Sequence, residues 1–452
     1  MRKFLIEMRM RMLDGYFEHL EKFKETQYWS KDALLAWQTE KLQKLIAHAY
    51  NTVPFYREQF DLMKIKPKDI KSIDDLQLLP VLEKETLRSN YEKLLSINFQ
   101  GKKSTRSTGG STGVPLRIAV NHDSSMIENA LVHRFYGWFG YEWGDEIVKF
   151  WGDRPIISNT LKLKKYLSRK YYNISFFSTF DGIDESFEKI MGRLQKTPPK
   201  ILRGYTSAIY NLACKALDRG VRLHLNAVTT TAEKLYAFQR NKIGAAFGAN
   251  IFDQYGCGET NSLAFECEKH QGLHVASEHV ILETIDAKGE GVKKGTVLIT
   301  NLDNYAMPLI RYANGDEAIW ASRPCDCNRG APLLESIDGR VYDYIQGPND
   351  RKVHTGFLDD LLVDLAIEGR AAIKEFRLVQ THIDKLIIEF VSDEDFSPKE
   401  KNIIEETIEQ FLGKMTVDFN RVDYIPLTRM GKKMFILSML NRDKWERVNS
   451  QI

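Results

Sequence analysis

Residues 107–117, STGGSTGVPLR, combine hydroxyl groups with glycines that add no side-chain bulk. Such a loop can close its backbone N–H groups and hydroxyls around phosphate oxygens. It is not a Walker A loop, because that motif needs a lysine directly after its last glycine, and here Val114 follows Gly113. Taken alone, the segment also fits a flexible surface turn. A second set of chemically able side chains lies further along. Cys267 is followed by His270 and His274 in FECEKHQGLHV, and Cys325 and Cys327 stand in CDCNRG. Thiolates with an imidazole are the donors of a closed tetrahedral zinc site. Six residues separate Cys267 from His274 and one separates Cys325 from Cys327, which is not a standard finger spacing. His274 is the preferred fourth ligand and His270 its competitor. The plain alternative is a set of unligated, partly buried thiols.

The chain that must position these groups has 452 residues, too many for one core, so two or three domains are expected. Hydrophobic content of 43% and charged content of 28% fit a globular protein. A net charge of +3 gives no reason to expect nucleic acid as a partner. No apolar run is long enough to span a bilayer. The basic start, MRKFLIEMRMRMLDGYF, is interrupted by Glu7, Arg9 and Arg11, so it reads as a helix packed on its own domain rather than a signal peptide. A helix lying on a membrane surface is the alternative there. A cytoplasmic location is expected. The cysteines number five, with Cys214 and Cys257 completing the set, and an odd count argues against a disulfide framework. Cys214, on an apolar helix face, is expected in the core. No His/Asn signature makes Cys257 a papain-type nucleophile.

Residues 1–100 read mostly as helix, with apolar residues at helical spacing in DALLAWQTEKLQKLIAHAY and EKETLRSNYEKLL. From about residue 145 short apolar runs alternate with helical stretches. EIVKFWGD, ISFFSTF, PKILRGY, HLNAVTTTAE and NIFDQYG look like buried strands, and SAIYNLACKALDRG like a helix stopped by Gly220. This alternation predicts an α/β domain with a mainly parallel sheet. EHVILETID and GTVLITNLDN, joined by AKGEGVKKG, predict an antiparallel appendage. Beyond Arg340 the pattern changes to FLDDLLVDLAI as a helix, FRLVQTHIDKLIIEFVSD as strands, and a helix capped by Ser397 with Pro398 at its first position. The expected division is a large domain over 1–340 and a small α+β domain over 341–452.

Five segments occur in an order that resembles the acyl-adenylate-forming enzymes. They are STGGSTGVPL (107–116), TAE (231–233), DQYGCGE (253–259), IRYANGDEA (310–318) with DGRVYDYI (338–345), and PLTRMGKK (426–433). LPVLEKETLRSNYEKLL (79–95), the absence of lysine after Pro115 and the CDC segment are more similar to one branch. That branch holds the phenylacetate–coenzyme A ligases and CapK-like relatives in capsule and lipopolysaccharide biosynthesis, some of which carry a similar Cys/His cluster. The resemblance implies ATP-dependent activation of a carboxylate, with pyrophosphate leaving and an acyl-adenylate formed, so the protein's work is positioning and electrostatic stabilisation.

The same resemblance assigns roles. Ser107, Thr108, Gly109, Gly110, Ser111, Thr112 and Gly113 would hold the leaving phosphates. Tyr255 would stack on adenine, with Gly256 letting the backbone approach and Asp253, Thr231, Ala232 and Glu233 lining the base. Glu259 would bind Mg2+, as a hard carboxylate suits. Gly258 stands where many relatives carry Ser or Thr against the α-phosphate, and Thr260 is the candidate to replace it. Asp316 would accept both ribose hydroxyls, Arg340 would reach the nucleotide, and Asp343 would be the hinge of a mobile small domain. Lys432, in a complete P-x-T-x-x-G-K made by Pro426, Thr428, Gly431 and Lys432, would bridge the carboxylate and the α-phosphate. Coenzyme A is the expected acyl acceptor. The alternatives are an amine on a sugar, giving an amide in polysaccharide modification, and a nucleotide-binding scaffold without turnover.

Overall fold

The computed structural model describes residues 15–108, 116–151, 159–178, 183–340, 344–348, 352–354, 373–426, 436–438 and 440 of the chain. Its helical start is α1 (Tyr16–Thr26), α2 (Lys31–Thr52) and α3 (Pro54–Leu62), followed by the short α4 (Lys84–Ser89) and α5 (Tyr91–Leu94). Ser30 opens α2 by accepting the Ala33 N–H at 3.2 Å, and proline opens α3, where a missing donor costs nothing. Strands β1 (Lys103–Thr108) and β2 (Leu116–Asn121) then pair antiparallel, so the two ends of the glycine-serine loop meet as Thr108 opposite Leu116. Residues 109–115 of that loop lie outside the described residues.

After α6 (His122–Gly137) the βα alternation expected from the sequence is present. It runs β3 (Ile147–Trp151), α7 (Asn159–Tyr171), β4 (Ile174–Ser178), α8 (Ile183–Lys196), β5 (Ile201–Tyr205), α9 (Thr206–Asp218), β6 (Ala227–Thr231), α10 (Ala237–Phe247) and β7 (Asn250–Tyr255). The five strands are parallel in the order β4-β3-β5-β6-β7. Helices cover both faces, so apolar side chains pack on each, with Lys149 and Arg203 as charged exceptions on one of them. Val148, Phe150, Leu202, Val228 and Ile251 pack with α8, α9 and α10, while Ile147, Ile201, Ala227 and Phe252 pack in the cluster that contains α6. Gly220 (φ 68°) ends α9 as expected: Val221 and Gly220 donate back to Ala216 and Leu217, closing the helix's last carbonyls.

The antiparallel strands continue the same sheet from β7 rather than forming a separate layer. They are β8 (Ala264–Glu266), β9 (Leu273–Val275), β10 (Val280–Ile285), β11 (Lys294–Asn301), β12 (Tyr312–Trp320) and β13 (Leu333–Arg340). The sheet therefore has eleven strands, from β10 at one edge to β4 at the other. A hairpin of β14 (Tyr344–Gln346) and β15 (Lys352–His354) follows. The last unit is a four-stranded sheet of β16 (Ile373–His382), β17 (Lys385–Ser392), β18 (Thr416–Arg421) and β19 (Ile436–Ser438), with α11 (Pro398–Leu412) beside it. Ser397 and Glu400 form a reciprocal cap at the start of α11. Phe376, Leu378, Ile388, Phe390, Ile404 and Ile408 give this unit its own core. Residues 1–14 and the expected helix FLDDLLVDLAI lie outside the described residues. Among the described residues no helix is long and apolar enough to cross a membrane.

Candidate functional site

Open parallel sheets bind ligands beyond the carboxyl ends of their strands, where the loops leave a crevice. Here β6 ends in Thr231 and β7 in Tyr255, both buried. Directly after β6, Ala232 has φ 71°, a left-handed conformation that a side chain disfavours and that the surroundings must enforce. They do so through Glu233. Its carboxylate accepts the Ser207 N–H at 2.7 Å and the Ser207 hydroxyl at 3.1 Å, and its carbonyl accepts the Thr206 hydroxyl at 3.0 Å. Glu233 thus caps the first turn of α9. Asp253 accepts the Thr230 hydroxyl at 2.9 Å, and burial, aided by the neighbouring Glu266 charge, pushes its pKa up to about 7.

Residues far apart in sequence converge above these strand ends. The Tyr255 hydroxyl donates to Asp316 Oδ2 at 2.8 Å, and the Asn314 amide donates to the same oxygen at 2.6 Å. Asp316 stands opposite Arg340 in the β12/β13 register, although the Arg340 side chain lies outside what is described. One step along β12, the Tyr312 hydroxyl donates to Glu259 Oε1 at 2.9 Å. Lys84 Nζ approaches the same oxygen at 3.8 Å. It gets there because Leu82 bridges β12, donating to Arg311 and accepting from Ala313 at 3.0 and 3.1 Å. Glu259 is 4% exposed, so a carboxylate is held almost out of water beside one tyrosine and one lysine. Tyr312, Asn314 and Lys84 were not singled out from the sequence. Tyr312 and Asn314 occur in a quoted motif and Lys84 in another, but no spacing connects residue 84 with residue 259.

The turn between Tyr255 and Glu259 is tight for an internal reason. A Cβ on Gly256 would stand 2.0 Å from the Asn261 carbonyl oxygen, so it is Asn261 that fills the space the missing side chain leaves. Thr260 is fully buried and its hydroxyl accepts from Asn301 Nδ2 at 3.4 Å, directed inward. Gly256→Ala should therefore displace the turn and lower stability by about 1–3 kcal/mol. A thermal melt identical to that of the parent would refute this.

A buried charge network fixes that turn to the root of the glycine-serine loop. Arg106, the residue before Ser107, pairs with Glu128 of α6 at 2.5 Å, and Glu128 also accepts the Asn261 N–H at 3.3 Å. Burial works against the Glu128 charge, yet the Arg106 guanidinium bonded to it and the nearby His279, 3.8 Å away, hold its carboxyl below the usual range. The strand entering the loop, the Glu259 turn and the Tyr255–Asp316 pair are in this way held together. Ser107 and Thr108 are seen here as backbone of β1 only. Gly109, Gly110, Ser111, Thr112, Gly113, Asp343 and Lys432 lie outside the described residues.

The cysteine cluster assembles separately. Cys267 follows β8, His274 lies in β9, and Cys325 and Cys327 lie between β12 and β13; their four ligand atoms lie within 4.8 Å of one another. Cys267 Sγ is 3.5 Å from Cys325 Sγ, and Cys327 Sγ is 3.2 Å from His274 Nε2. The sheet brings them together, since Leu333 of β13 pairs with His274. Burial lowers the His274 pKa to about 4, keeping its imidazole neutral as a metal ligand must be. Burial opposes a thiolate at Cys327, yet hydrogen bonds from Arg329 hold that thiol below its ordinary range. His270 is directed elsewhere, with Nδ1 3.2 Å from Glu266. Three thiols and one imidazole fit tetrahedral zinc.

Comparison with known proteins agrees with this architecture. Residues 345–439 match the CapK C-terminal domain. A phenylacetate-coenzyme A ligase of Thermus thermophilus is 26% identical, covering 70% of this chain and 72% of its own. Protein CapK of Staphylococcus aureus is 24% identical, covering 96% and 94%. Among solved structures, 2-hydroxyisobutyryl-CoA ligase in the postadenylation state with R3-HIB-AMP superposes with a TM-score of 0.72, at 19% identity and over 91% of this chain and 90% of that one. The chain is a homologue of the phenylacetate–coenzyme A ligases and of CapK, built on the fold of the adenylate-forming ligases.

Proposed function

We propose that this chain activates a carboxylic acid with ATP and passes the acyl group to a thiol, with coenzyme A as the acceptor. In the first step a carboxylate oxygen bonds to the α-phosphorus, the bond from that phosphorus to the bridging oxygen breaks, and pyrophosphate leaves. In the second the thiol sulfur bonds to the acyl carbon, AMP leaves, and the thiol proton passes to solvent. The observation that carries this reading is the convergence of Tyr255, Asp316 and Glu259 beyond the strand ends, with the root of the glycine-serine loop tied to the same turn. Asp316, part-exposed, offers a carboxylate for the ribose hydroxyls, and Tyr255 a ring beside it. Glu259 would hold Mg2+, which when bound neutralises charge on the phosphates. Residues 107–113 would take the leaving phosphates, and Arg340 the nucleotide. Residues 341–452 act as a lid turning about Asp343, which brings Lys432 to the reacting phosphorus. Cys267, His274, Cys325 and Cys327 would hold a structural zinc, joining the β8–β9 corner to the β12–β13 connection.

Pyrophosphate release measured over a panel of acids, with and without coenzyme A, tests the reading. Acid-dependent release, with thioester formed only when coenzyme A is present, is the expected result. One further acceptor to include is an amino sugar, whose product would be an amide. Binding of ATP with no release for any acid would leave a nucleotide-binding scaffold.

A further inference from the structure

Two cations stand side by side on the α6-facing side of the parallel sheet, with no acid paired to either among the described residues. Lys149 of β3 and Arg203 of β5 are register partners on neighbouring strands, and Thr229 of β6 continues the row beside Arg203. Strand side chains alternate between faces, so these three share the face of Ile147, Ile201 and Ala227, which packs towards α6. Lys149 Nζ and Arg203 Cζ lie 5.8 and 5.5 Å from the centroid of the Trp151 ring. Arg203 also donates to the Tyr136 hydroxyl of α6. Among the described residues no carboxylate pairs with either cation, and the charge acting on Lys149 is Arg169, of the same sign. Burial disfavours both charges, pushing the Arg203 pKa down to about 10.

Neighbouring atoms are just as uncommitted. Arg203 Nε, Thr229 Oγ1 and Gln254 Oε1 are buried and have no hydrogen-bond partner among the described residues. Gln254 pairs with Thr231 in the sheet register, so it belongs to the same face, one step nearer the strand ends. Buried polar groups are nearly always satisfied, and a run of exceptions on one face asks for a partner that the described residues do not supply. Lys149 is part-exposed and Arg203 is 8% exposed, so Arg203 is the more deeply desolvated of the two. The row lies two residues below the strand ends at Trp151, Tyr205 and Thr231, a depth of about 7 Å.

We propose that Lys149 and Arg203, aided by Thr229 and Gln254, form the inner end of the acid pocket and bind a second anionic group of the substrate. This rests on the acid-activation reading above. The substrate class is then a short acid whose second anion, carboxylate or phosphate, is about 7 Å from the activated carboxylate. A neutral aromatic tail would leave both cations desolvated and unanswered, which discriminates against an arylacetate.

ATP–pyrophosphate exchange on the full chain tests this, with succinate, glutarate and a short phosphorylated hydroxy acid set against butyrate, valerate and phenylacetate. The expected result is a preference for one of the dianions of at least about 100-fold in kcat/KM, reduced about 10- to 100-fold in Lys149→Met and carried mainly by KM. Lys149 is the variant of choice because its partial exposure lets methionine fit without repacking. Preference for the neutral-tailed acids in the parent, or an unaltered preference in the variant, would overturn the proposal while leaving acid activation standing. If no acid supports exchange, titration calorimetry separates the two readings. Glutarate or succinate binding that is lost in Lys149→Met keeps the anion pocket and rejects activation, whereas no heat with any dianion rejects the pocket.

Discussion

Lys432→Ala should lower pyrophosphate release by about 10²–10³-fold while changing ATP affinity little, because the two properties depend on different groups. In the proposed mechanism negative charge accumulates between the attacking carboxylate and the α-phosphate. An ammonium placed there is worth most at the moment that charge is greatest, so its removal acts on kcat. In the same proposal nucleotide binding depends instead on Tyr255, Asp316 and Glu259, which are held by hydrogen bonds to Asp316, Tyr255 and Tyr312. Lys433→Ala is the natural control, since Lys433 falls outside the P-x-T-x-x-G-K motif and its loss should leave release close to that of the parent. Near-normal release from Lys432→Ala would remove this lysine from the mechanism. Equal losses from both variants would point to general damage in the 426–433 segment.

The second large effect is expected at the cysteine cluster. Elemental analysis should find about one zinc per chain, and Cys325→Ser should lose it. With four donors converging within 4.8 Å, metal binding and folding of this corner are the same free energy, so the loss should amount to several kcal/mol of stability. Cys214→Ser should retain the metal, because Cys214 lies on α9, apart from the cluster. A metal-free preparation as stable as the metal-loaded one would dismiss the site.

Much of the chain's local order was legible in advance. The βα alternation, the antiparallel strands around AKGEGVKKG, and the caps at Gly220 and Ser397 each depend on residues within one turn or strand, where periodicity and end chemistry speak directly. The cysteine group was legible for a different reason. Thiols and imidazoles are few, so Cys267, His274, Cys325 and Cys327 could be proposed without knowing the fold. His274 was already preferred over His270 from the sequence, and the pairing of β9 with β13 is what brings it among the thiols.

Other features were silent in the chain. Nothing near residue 84 says that its ammonium will approach Glu259, and nothing in Gly256 says that Asn261, rather than a ligand, needs its space. Lys149 and Arg203, which have no acid partner among the described residues, look from the sequence like ordinary charges in strands. They become informative once β3 and β5 are neighbours and Trp151, not an acid, is what they share.

Which elements form, and which residue types could handle phosphate, metal and nucleotide, could be read along the chain, because those properties are local to a few bonded neighbours. Which of them meet was fixed by packing. Partners such as Tyr255 and Asp316, 61 residues apart, are joined by the order of strands in a sheet, and that order is set by burying both faces at once rather than by any single segment.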